Sequence, residues 1–267
     1  MGHYTPAATH EEILLRSDDD GITTLTLNRP KQFNSLSSAL LADLQAALDA
    51  IAKDETVRVV VIAGAGNAFC AGHDLKEMRA HPERPFIKAL FDRCSRLMES
   101  VTAIPQPVIA RVHGIATAAG CQLVAQCDLA VAANTARFAV SGIKVGLFCS
   151  TPGVALSRNV SRKQAMEMLL SGDFIDAETA RAHGLVNRVV TLENLNAEVL
   201  RLARSILAKT PVAVAAGKQA FYRQLEMGLH DAYQYASEVM ACNMMTEDAA
   251  EGIDAFMQKR PPQWRGK

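Results

Sequence analysis

The chain has 267 residues, of which 49% are hydrophobic and 21% are charged, and its 28 basic side chains balance 28 acidic ones. A chain of this size and composition can bury a large core in one domain, or in one domain with an appendage. The absence of net charge argues against a nucleic acid or a membrane surface as partner, because both usually attract a basic protein.

Targeting features and cysteine usage predict a cytoplasmic protein. No apolar run is long enough to span a bilayer, so no membrane partner is expected. Residues 1–20 are rich in acidic residues, which argues against a secretory signal or an Arg-rich transit peptide. The cysteines form no paired framework, and reduced thiols are the simplest interpretation for Cys70, Cys94, Cys121, Cys127, Cys149 and Cys242.

Short strands and helices alternate in the first half of the chain. Residues 1–20 are predicted to be a poorly ordered lead, and residues 22–28 have the alternating pattern of a half-buried strand. The following elements are a helix at 37–51, a strand at 57–62, a helix from Pro85, a strand at 108–112, a short helix at 121–126 and a strand at 128–132. This alternation predicts an α/β fold with largely parallel strands and right-handed crossovers.

Helices dominate the second half of the chain. Ser161 with Gln164 has the pattern of a capping box, and Asp176 is placed to cap an Ala-rich helix before a last strand at 186–190. Apolar residues on more than one side of the helices that follow, such as Met240 and Met244, indicate packing on a partner chain and predict a homo-oligomer. These helices are predicted at 192–208, 211–225, 228–246 and 247–258.

Two stretches combine a strand, a turn of small residues and a helix start. The first contains Ala71 and Gly72 and leads to Asp74, a good N-cap residue, and the second is Ile115-Ala116-Thr117-Ala118-Ala119-Gly120-Cys121. Such turns leave backbone N–H groups unpaired. Two of them facing each other would form a pocket for a developing oxyanion.

Several motifs, in matching order and spacing from about residue 22 to residue 264, resemble the crotonase family of enoyl-CoA hydratases and isomerases. The resemblance implies a spiral core of repeated ββα units at 21–192, a helical trimerisation region at 193–267, and a trimer or a dimer of trimers. It implies an acyl-CoA thioester as ligand, with no cofactor beyond the coenzyme A moiety. The motifs are Leu27-Asn28-Arg29-Pro30 with Asn34, Phe69-Cys70-Ala71-Gly72-His73-Asp74-Leu75, the segment 114–123, Phe138 and Pro152-Gly153.

The same resemblance implies the residues of the site. The two oxyanion N–H groups fall on His73 and Ala119, and the loop 73–76 matches the segment that holds the bent coenzyme A. Phe256 and Lys259 match positions that reach the adenine and phosphates, often from a neighbouring subunit. The ligand-binding residues expected on this basis are Lys31, Ala71, His73, Asp74, Leu75, Lys76, Ala119, Phe256 and Lys259.

The acid and base positions of the family are replaced in this chain. The two glutamates of the hydratases align with Gln122 and Gly142, and an aspartate of some relatives aligns with Ser150. None of these residues can transfer a proton at neutral pH, although one such group usually contributes roughly 10²- to 10⁴-fold to a rate. Hydration by the standard mechanism is therefore not expected. The segment 147–153 is most similar to the enoyl-CoA hydratase domain-containing subgroup of the family.

Several candidate residues have two interpretations. Gln122 could hold a water molecule or simply be a polar residue of the pocket, and the His73 imidazole could be a base in addition to the backbone donor. Cys149 and Ser150 could be nucleophiles, but a turn of small residues under the acyl chain is the favoured interpretation, because no His or Asp is placed to activate them. The Met cluster at 240–245 is interpreted as interface packing.

Other kinds of site are excluded by spacing. Cys121 and Cys127 flank a short helix, and Cys70 lies near His73, but no second Cys-x-x-Cys pair exists and no metal site is expected. Gly64-Ala65-Gly66 follows a strand, but Phe69 stands where a dinucleotide loop has its third glycine.

Two functions remain. One is an enzyme that acts on an acyl-CoA through an enolate, as a hydratase or isomerase or in a reaction such as decarboxylation or thioester cleavage. The other is an acyl-CoA-binding oligomer that acts as a sensor or scaffold.

Overall fold

Two sheets form the frame of the protein in the computed structural model, which describes residues 12–267. In chain order the strands are β1 (Leu14–Asp19), β2 (Ile22–Leu27), β3 (Val59–Gly64), β4 (Ala68–Cys70), β5 (Val108–Val112), β6 (Ile115–Thr117), β7 (Leu129–Ala133), β8 (Arg137–Ala139), β9 (Ile175–Asp176) and β10 (Arg188–Val190). The six-stranded sheet has the order β1-β2-β3-β5-β7-β10, and the four-stranded sheet has the order β4-β6-β8-β9.

The large sheet is parallel except at its β1 edge, which confirms the predicted α/β fold with parallel pairing. Every residue of β3 is buried, because this strand is covered on both faces. Val60 and Ile62 face the main core, whereas Val59 and Val61 face a smaller cluster on the other side. A continuous run of β-branched residues is typical of such a strand.

Eleven helices surround the sheets in residues 12–267. Short 3-10 turns at Pro30–Gln32, Ser141–Val145 and Leu192–Asn194 connect some of them. The helices are α1 (Ser38–Ile51), α2 (Leu75–Ala80), α3 (Arg84–Ala103), α4 (Ala119–Gln126), α5 (Ser150–Asn159), α6 (Arg162–Ser171), α7 (Ala177–Ala182), α8 (Leu195–Leu207), α9 (Pro211–Gln224), α10 (Leu229–Met244) and α11 (Glu247–Met257). No helix in this part of the chain has the length and apolarity of a membrane span.

The structure changes some expectations at the ends of elements. Residues 14–19, predicted as part of a poorly ordered lead, form β1 and pair antiparallel with β2, while residues 1–11 lie outside the described part. Ser161 precedes α6 as predicted, but its hydroxyl lies 2.6 Å from Gln164 Oε1 instead of capping a backbone N–H. The four helices predicted from residue 192 onward are present as α8 to α11.

One helix predicted in the C-terminal region covers the central sheet. α8 buries Leu195, Val199 and Leu202 against the smaller core cluster, which contains Val59 and Val131. This helix therefore supports β3 and β7 from the face opposite the main core. The helices after it, α9 to α11, form the more exposed C-terminal layer.

Lys218 of α9 ties that layer to the core. Its Nζ lies 2.7 Å from Asp128 Oδ2 and donates to the carbonyl oxygens of Val101 and Gln106, each at 2.8 Å. Asp128 also accepts the Tyr222 hydroxyl at 2.8 Å. Burial lowers the pKa of Lys218, and the attraction of Asp128 opposes this shift. Both charges are thus satisfied where water is largely excluded.

We expect Lys218→Met to lower the free energy of unfolding by about 3 kcal/mol, because it leaves Asp128 without its counter-charge. Urea denaturation at fixed protein concentration measures the change. Lys88→Met is the matched control, because Lys88 pairs with Asp92 on the surface; it should change stability by less than about 0.5 kcal/mol. Equal effects of the two substitutions would contradict a special role of the buried pair.

Candidate active site

The two turns singled out in the sequence are in contact. They follow β4 and β6, which are parallel neighbours, so both lie at the same edge of the small sheet. Gly72 has φ +88°, and a Cβ placed on it would lie 2.8 Å from the Ala118 Cβ and 3.2 Å from the Ala119 nitrogen. A glycine is required at this position both for its backbone angle and for the close approach.

Two backbone N–H groups remain free at this contact. Leu36 forms a parallel β-bridge with His73 in the first turn. The Leu36 N–H donates to the Gly72 carbonyl at 2.7 Å, and the Asp74 N–H donates to the Leu36 carbonyl at 3.2 Å, so the His73 N–H points away from this bridge. Ala119 is the first residue of α4, and such a residue has no acceptor within its own helix. Within residues 12–267 neither N–H donates to a backbone carbonyl.

Charged and polar side chains hold the His73 loop in place. Asp74 caps α2 by accepting from the N–H groups of Lys76 and Glu77, and Arg29 Nη2 donates to its other oxygen at 3.0 Å. Burial opposes ionisation of Asp74, but the hydrogen bonds from Arg29 and the backbone outweigh it, and its pKa is lowered. Asn34 is fully buried and donates to the carbonyl oxygens of Ala65 and Ala68, at 2.8 and 2.7 Å. The loop therefore has a fixed position relative to β4.

The second turn contains a strained residue. Ala118 has φ 50° and ψ −120°, in a region that is essentially restricted to glycine. Its N–H donates to the Ala139 carbonyl at 2.9 Å, which fixes the peptide that precedes α4. The strained backbone of Ala118 immediately precedes Ala119 and helps to determine the direction of the free Ala119 N–H.

A cavity of about 420 Å³ opens beside the two turns. Its walls are mostly apolar, and no Asp or Glu of the described residues lines it. The lining residues come from the His73 loop with α2, from α3, from the start of α4 and from the segment 141–152. They are Ala71, His73, Leu75, Met78, Phe91, Ala118, Ala119, Ser141, Gly142, Val145, Leu147, Phe148, Cys149, Ser150, Thr151 and Pro152.

The His73 imidazole is uncharged at neutral pH. Burial lowers its pKa to about 4, although the nearby Glu77 acts in the opposite direction. The ring packs edge-on against Phe91 with centroids 5.1 Å apart, and its buried Nε2 has no hydrogen-bond partner in residues 12–267. A base with this pKa is weak at neutral pH, so the backbone N–H is the stronger candidate group of His73.

The structure brings some of the predicted residues together and leaves others apart. Of the four predicted catalytic residues, His73, Ala119 and Gly142 line the cavity. Gln122 does not; it is 4% exposed within α4, and its Oε1 has no partner in the described structure. Of the predicted coenzyme A ligands, Ala71 and Leu75 also line the cavity. Asp74 is half-buried behind it, and the residues outside the cavity lining are Lys31, Lys76, Phe256 and Lys259.

The residues beyond Gly142 close the space that a side chain at this position would need. A Cβ on Gly142 would lie 2.6 Å from the Leu147 carbonyl oxygen and 2.7 Å from the Cys149 sulfur. The Gly142 N–H also donates to Cys149 Sγ at 3.3 Å, and the Leu147 N–H donates to the Gly142 carbonyl at 2.9 Å. In this conformation the closed loop has no room for a side chain at 142.

Sequence reasoning missed the role of the segment 145–149 in shaping the site. Cys149 and Ser150 were interpreted as a turn, but Cys149 is the N-cap residue of α5 and Ser150 is its first residue. Pro152 in the first turn of this helix is the signal that could have revealed it, since proline favours helix starts. The apolar walls, such as Phe91 and Phe148, carry no recognisable sequence signal. None of the described residues form a group of three or more His, Cys, Asp or Glu that could hold a metal.

Comparison with known proteins identifies the family. The profile of the enoyl-CoA hydratase/isomerase family matches residues 17–267. The chain belongs to this family, the crotonase family. It is 47% identical over 255 residues to the Xenopus laevis mitochondrial enoyl-CoA hydratase domain-containing protein 3, covering 96% of this chain and 87% of the relative.

Two crystal structures of this family have the same fold. An enoyl-CoA hydratase of Mycobacterium smegmatis is 59% identical, with a TM-score of 0.94 over 95% of this chain and 99% of that one. The human enoyl-CoA hydratase domain-containing protein 3 is 45% identical, with a TM-score of 0.92 over 95% and 100%. The crotonase fold and the similarity to the domain-containing subgroup are thus confirmed for this chain.

The prediction of a cytoplasmic location is wrong by the same comparison, because the Xenopus relative is named a mitochondrial protein. The acidic residues at 1–20, which argued against a transit peptide, do not determine the cellular compartment.

We expect Ala118→Gly to stabilise the protein by about 1 kcal/mol, because glycine adopts the backbone angles of this residue without strain. Chemical denaturation of the two proteins measures the difference. Ala46→Gly, at an exposed position in the interior of α1, is the control and should destabilise by about 1 kcal/mol. A loss of stability for both substitutions would contradict strain at Ala118.

Proposed function

We propose that this crotonase-family protein binds an acyl-CoA thioester with the acyl group in the 420 Å³ cavity and the thioester oxygen between the N–H groups of His73 and Ala119. The observation that carries the proposal is the pair of adjacent turns with free donors at the wall of an apolar cavity. An acyl chain fits such walls, and an enolate oxygen needs such donors.

The two N–H groups would stabilise negative charge on the thioester oxygen. One preorganised donor of this kind lowers a barrier by about 3 kcal/mol. The positive end of α4, which begins at Ala119, acts in the same direction. The site therefore favours a transition state with enolate character over the neutral thioester.

By the motif alignment, Gln122 and Gly142 stand at the positions of the two glutamates that transfer protons in family hydratases. No carboxylate of residues 12–267 lines the wall of this cavity. His73 is a weak base at neutral pH because its pKa is about 4. We therefore propose that the reaction needs little side-chain acid or base, as in decarboxylation or thioester cleavage, and that enoyl-CoA hydration is not efficient.

The coenzyme A portion would lie along the His73 loop towards solvent. Lys31 and Lys76 are exposed and positively charged, which suits contacts with phosphates. Phe256 is 86% exposed and lies outside the cavity of its own chain, as expected for a residue that contacts a ligand bound to a neighbouring subunit. Lys259 follows it after α11.

We also propose that the chain is a homotrimer or a dimer of trimers. Its C-terminal helices expose more large apolar surface than a monomer usually leaves in water. The side chains concerned are each at least half exposed: Phe221, Leu225, Leu229, Tyr233, Met240, Met244, Met245, Phe256 and Met257.

A second candidate function is acyl-CoA binding without catalysis, as in a sensor or scaffold. The absence of carboxylates among the described residues that line the cavity favours it. The two functions differ in whether the thioester carbonyl becomes polarised when the ligand is bound.

We expect the purified protein to bind butyryl-CoA but to hydrate crotonyl-CoA far more slowly than the roughly 10 turnovers per second of a typical enzyme. Calorimetry measures the binding, and the loss of enoyl absorbance measures the hydration. Gln122→Glu combined with Gly142→Glu should not restore the rate, because the loop around Gly142 has no space for a side chain. Hydration at about 10 per second by the natural chain would contradict the proposal, and so would failure to bind butyryl-CoA.

A chromophoric acyl-CoA, such as a cinnamoyl-CoA with an electron-donating ring substituent, separates the two functions. We expect its absorption to shift to longer wavelength on binding, since the two N–H groups draw electrons towards the carbonyl oxygen. Binding without such a shift would support the non-catalytic function.

We expect size-exclusion chromatography with light scattering to give the mass of three or six chains of 28.8 kDa. Met240→Glu combined with Met244→Glu should shift the mass towards the monomer, because these side chains are 63% and 51% exposed in the single chain. Lys163→Glu, on the exposed part of α6, is the control for added negative charge. A monomeric natural protein would contradict the proposal.

A further inference from the structure

A second cavity, of about 650 Å³, lies at the amino ends of β3 and β5 and shares no lining residue with the cavity of the candidate active site. Its walls come from the segment 52–58 between α1 and β3, the loop 105–107 before β5, the first turns of α9, and the C-terminal segment 264–266. Sites for small organic ligands usually measure roughly 300–1,000 Å³. This cavity is therefore large enough for a ligand of its own.

One polar side chain in the wall of the second cavity is buried without a full set of partners. Gln106 is 6% exposed, and its Nε2 donates to the carbonyl oxygens of Ile51 at 2.8 Å and Asp54 at 3.3 Å. These bonds fix the orientation of the amide, so Oε1 is an acceptor, and it has no partner within residues 12–267. A buried acceptor without a donor costs free energy, and an N–H group of a bound ligand would remove that cost.

Positive charge in the same wall is poorly compensated. Arg58 is half-buried and donates from Nη2 to the Lys209 carbonyl at 2.8 Å, and no carboxylate of the described residues forms an ion pair with it. Burial lowers the pKa of Arg58, and the attraction of the more distant Asp248 opposes this shift. Lys53 and Arg265 add two exposed cations. A half-buried guanidinium with unused N–H donors is suited to bind a phosphate group.

The first turn of α9 adds to this positive field. No side chain caps the helix, and its first N–H groups have no acceptors within it. Two acidic residues, Asp54 and Glu55, also line the wall, but Asp54 is already engaged by Arg16 and Thr56. The wall therefore favours an anionic group of a ligand.

An aromatic ring completes the wall. Trp264 is half-buried, and its Nε1 donates to the Ala208 carbonyl at 2.9 Å, which holds the indole beside the cavity. Pro105 and Pro107 contribute further apolar surface. Aromatic and apolar walls are suited to a flat ring. A ligand that uses the whole cavity thus combines a flat ring, an N–H donor and an anionic group, whereas inorganic phosphate would use the cations alone.

We propose that the second cavity binds a purine nucleotide with an exocyclic amino group, such as adenosine monophosphate (AMP). The phosphate binds Arg58 and the start of α9, the amino group donates to Gln106 Oε1, and the purine packs against Trp264. The proposal does not depend on acyl-CoA binding, because the two cavities have no lining residue in common. AMP and an acyl-CoA therefore bind to one chain at the same time.

Tryptophan fluorescence tests the proposal, because Trp264 is the single tryptophan of the chain. We expect AMP to change the Trp264 emission in a saturable manner, with excitation at a wavelength that the nucleotide does not absorb. Inosine monophosphate (IMP) has a carbonyl in place of the amino group and should bind about tenfold more weakly, because Gln106 Oε1 then faces another acceptor. Saturating butyryl-CoA should leave the affinity for AMP unchanged.

Substitutions locate the site. Arg58→Met should weaken AMP binding by roughly 10- to 100-fold, because a charged hydrogen-bond donor is lost, and Arg58→Lys should retain part of the affinity. Arg93→Met is the matched control, since Arg93 also donates to a backbone carbonyl, that of Ala89, but lies outside the second cavity; it should bind AMP as the natural chain does.

Gln106→Met should bind AMP and IMP with equal affinity, because the acceptor that distinguishes them is gone. Urea denaturation shows whether each variant is folded. If Gln106→Met does not fold, the comparison of AMP with IMP in the natural chain still tests the role of Gln106.

Four results would overturn the proposal. The first is the absence of both a fluorescence change and a calorimetric signal at millimolar AMP. The second is equal affinity of the natural chain for AMP and IMP, and the third is unchanged AMP binding by Arg58→Met. The fourth is competition between butyryl-CoA and AMP, which would place the nucleotide in the acyl-CoA site and leave the proposed function intact. AMP binding by a chain that fails to bind butyryl-CoA would support the second site and overturn the proposed function alone.

Discussion

The close packing of α4 against the end of β4 is the constraint on which the candidate site depends. A Cβ on Gly120 would overlap the carbonyl oxygen of Cys70, and a Cβ on Gly72 would press on Ala118. Because both residues lack a side chain, the first turn of α4 can lie directly beside the His73 loop. The two free N–H groups meet as a result of this packing, and the strained backbone of Ala118 and the pair of Arg29 with Asp74 hold them there.

Burial affects the electrostatics of the cavity in two opposite ways. It strengthens the effect of the two backbone donors on a charged oxygen, because little water competes for that oxygen. It also suppresses the titratable groups that remain, since His73 is kept neutral and Cys149 is kept protonated. The site is therefore suited to stabilising charge on a ligand and poorly suited to exchanging protons with it. Under the proposed function, this separates the binding of the thioester from the chemistry at its double bond.

Much of the fold could be predicted because its signals are local. The N-caps of α1 and α2, the buried run of β3 and the proline at the start of α9 each have a short sequence pattern. The strands β4, β6, β8 and β9 have at most three residues, too few for an alternating pattern, and they were missed. The sequence did not predict that α8 covers the central sheet, since the apolar face of a helix does not show which surface it will contact.

The candidate site also has parts that could be predicted from the sequence and parts that could not. The turns at Gly72 and Ala118 could be recognised from small residues between a strand and a helix, and the alignment with family motifs named His73 and Ala119. The contact between Gly142 and Cys149 could not be predicted, because it depends on how the loop between them closes. The exclusion of Gln122 from the cavity lining likewise depends on the packing around α4. The cellular compartment could not be predicted either, because it does not follow from the composition of the chain.

The contact between Gly142 and Cys149 also restricts the order in which this sequence can change. A glutamate cannot be accommodated at 142 while the Leu147 carbonyl and the Cys149 sulfur occupy the space of its Cβ. A larger side chain at 142 therefore requires the residues at 147–149 to be remodelled before or together with the substitution. The two positions are therefore expected to vary together among descendants of a common ancestor, with glycine at 142 accompanying the closed loop and a larger residue accompanying an open one.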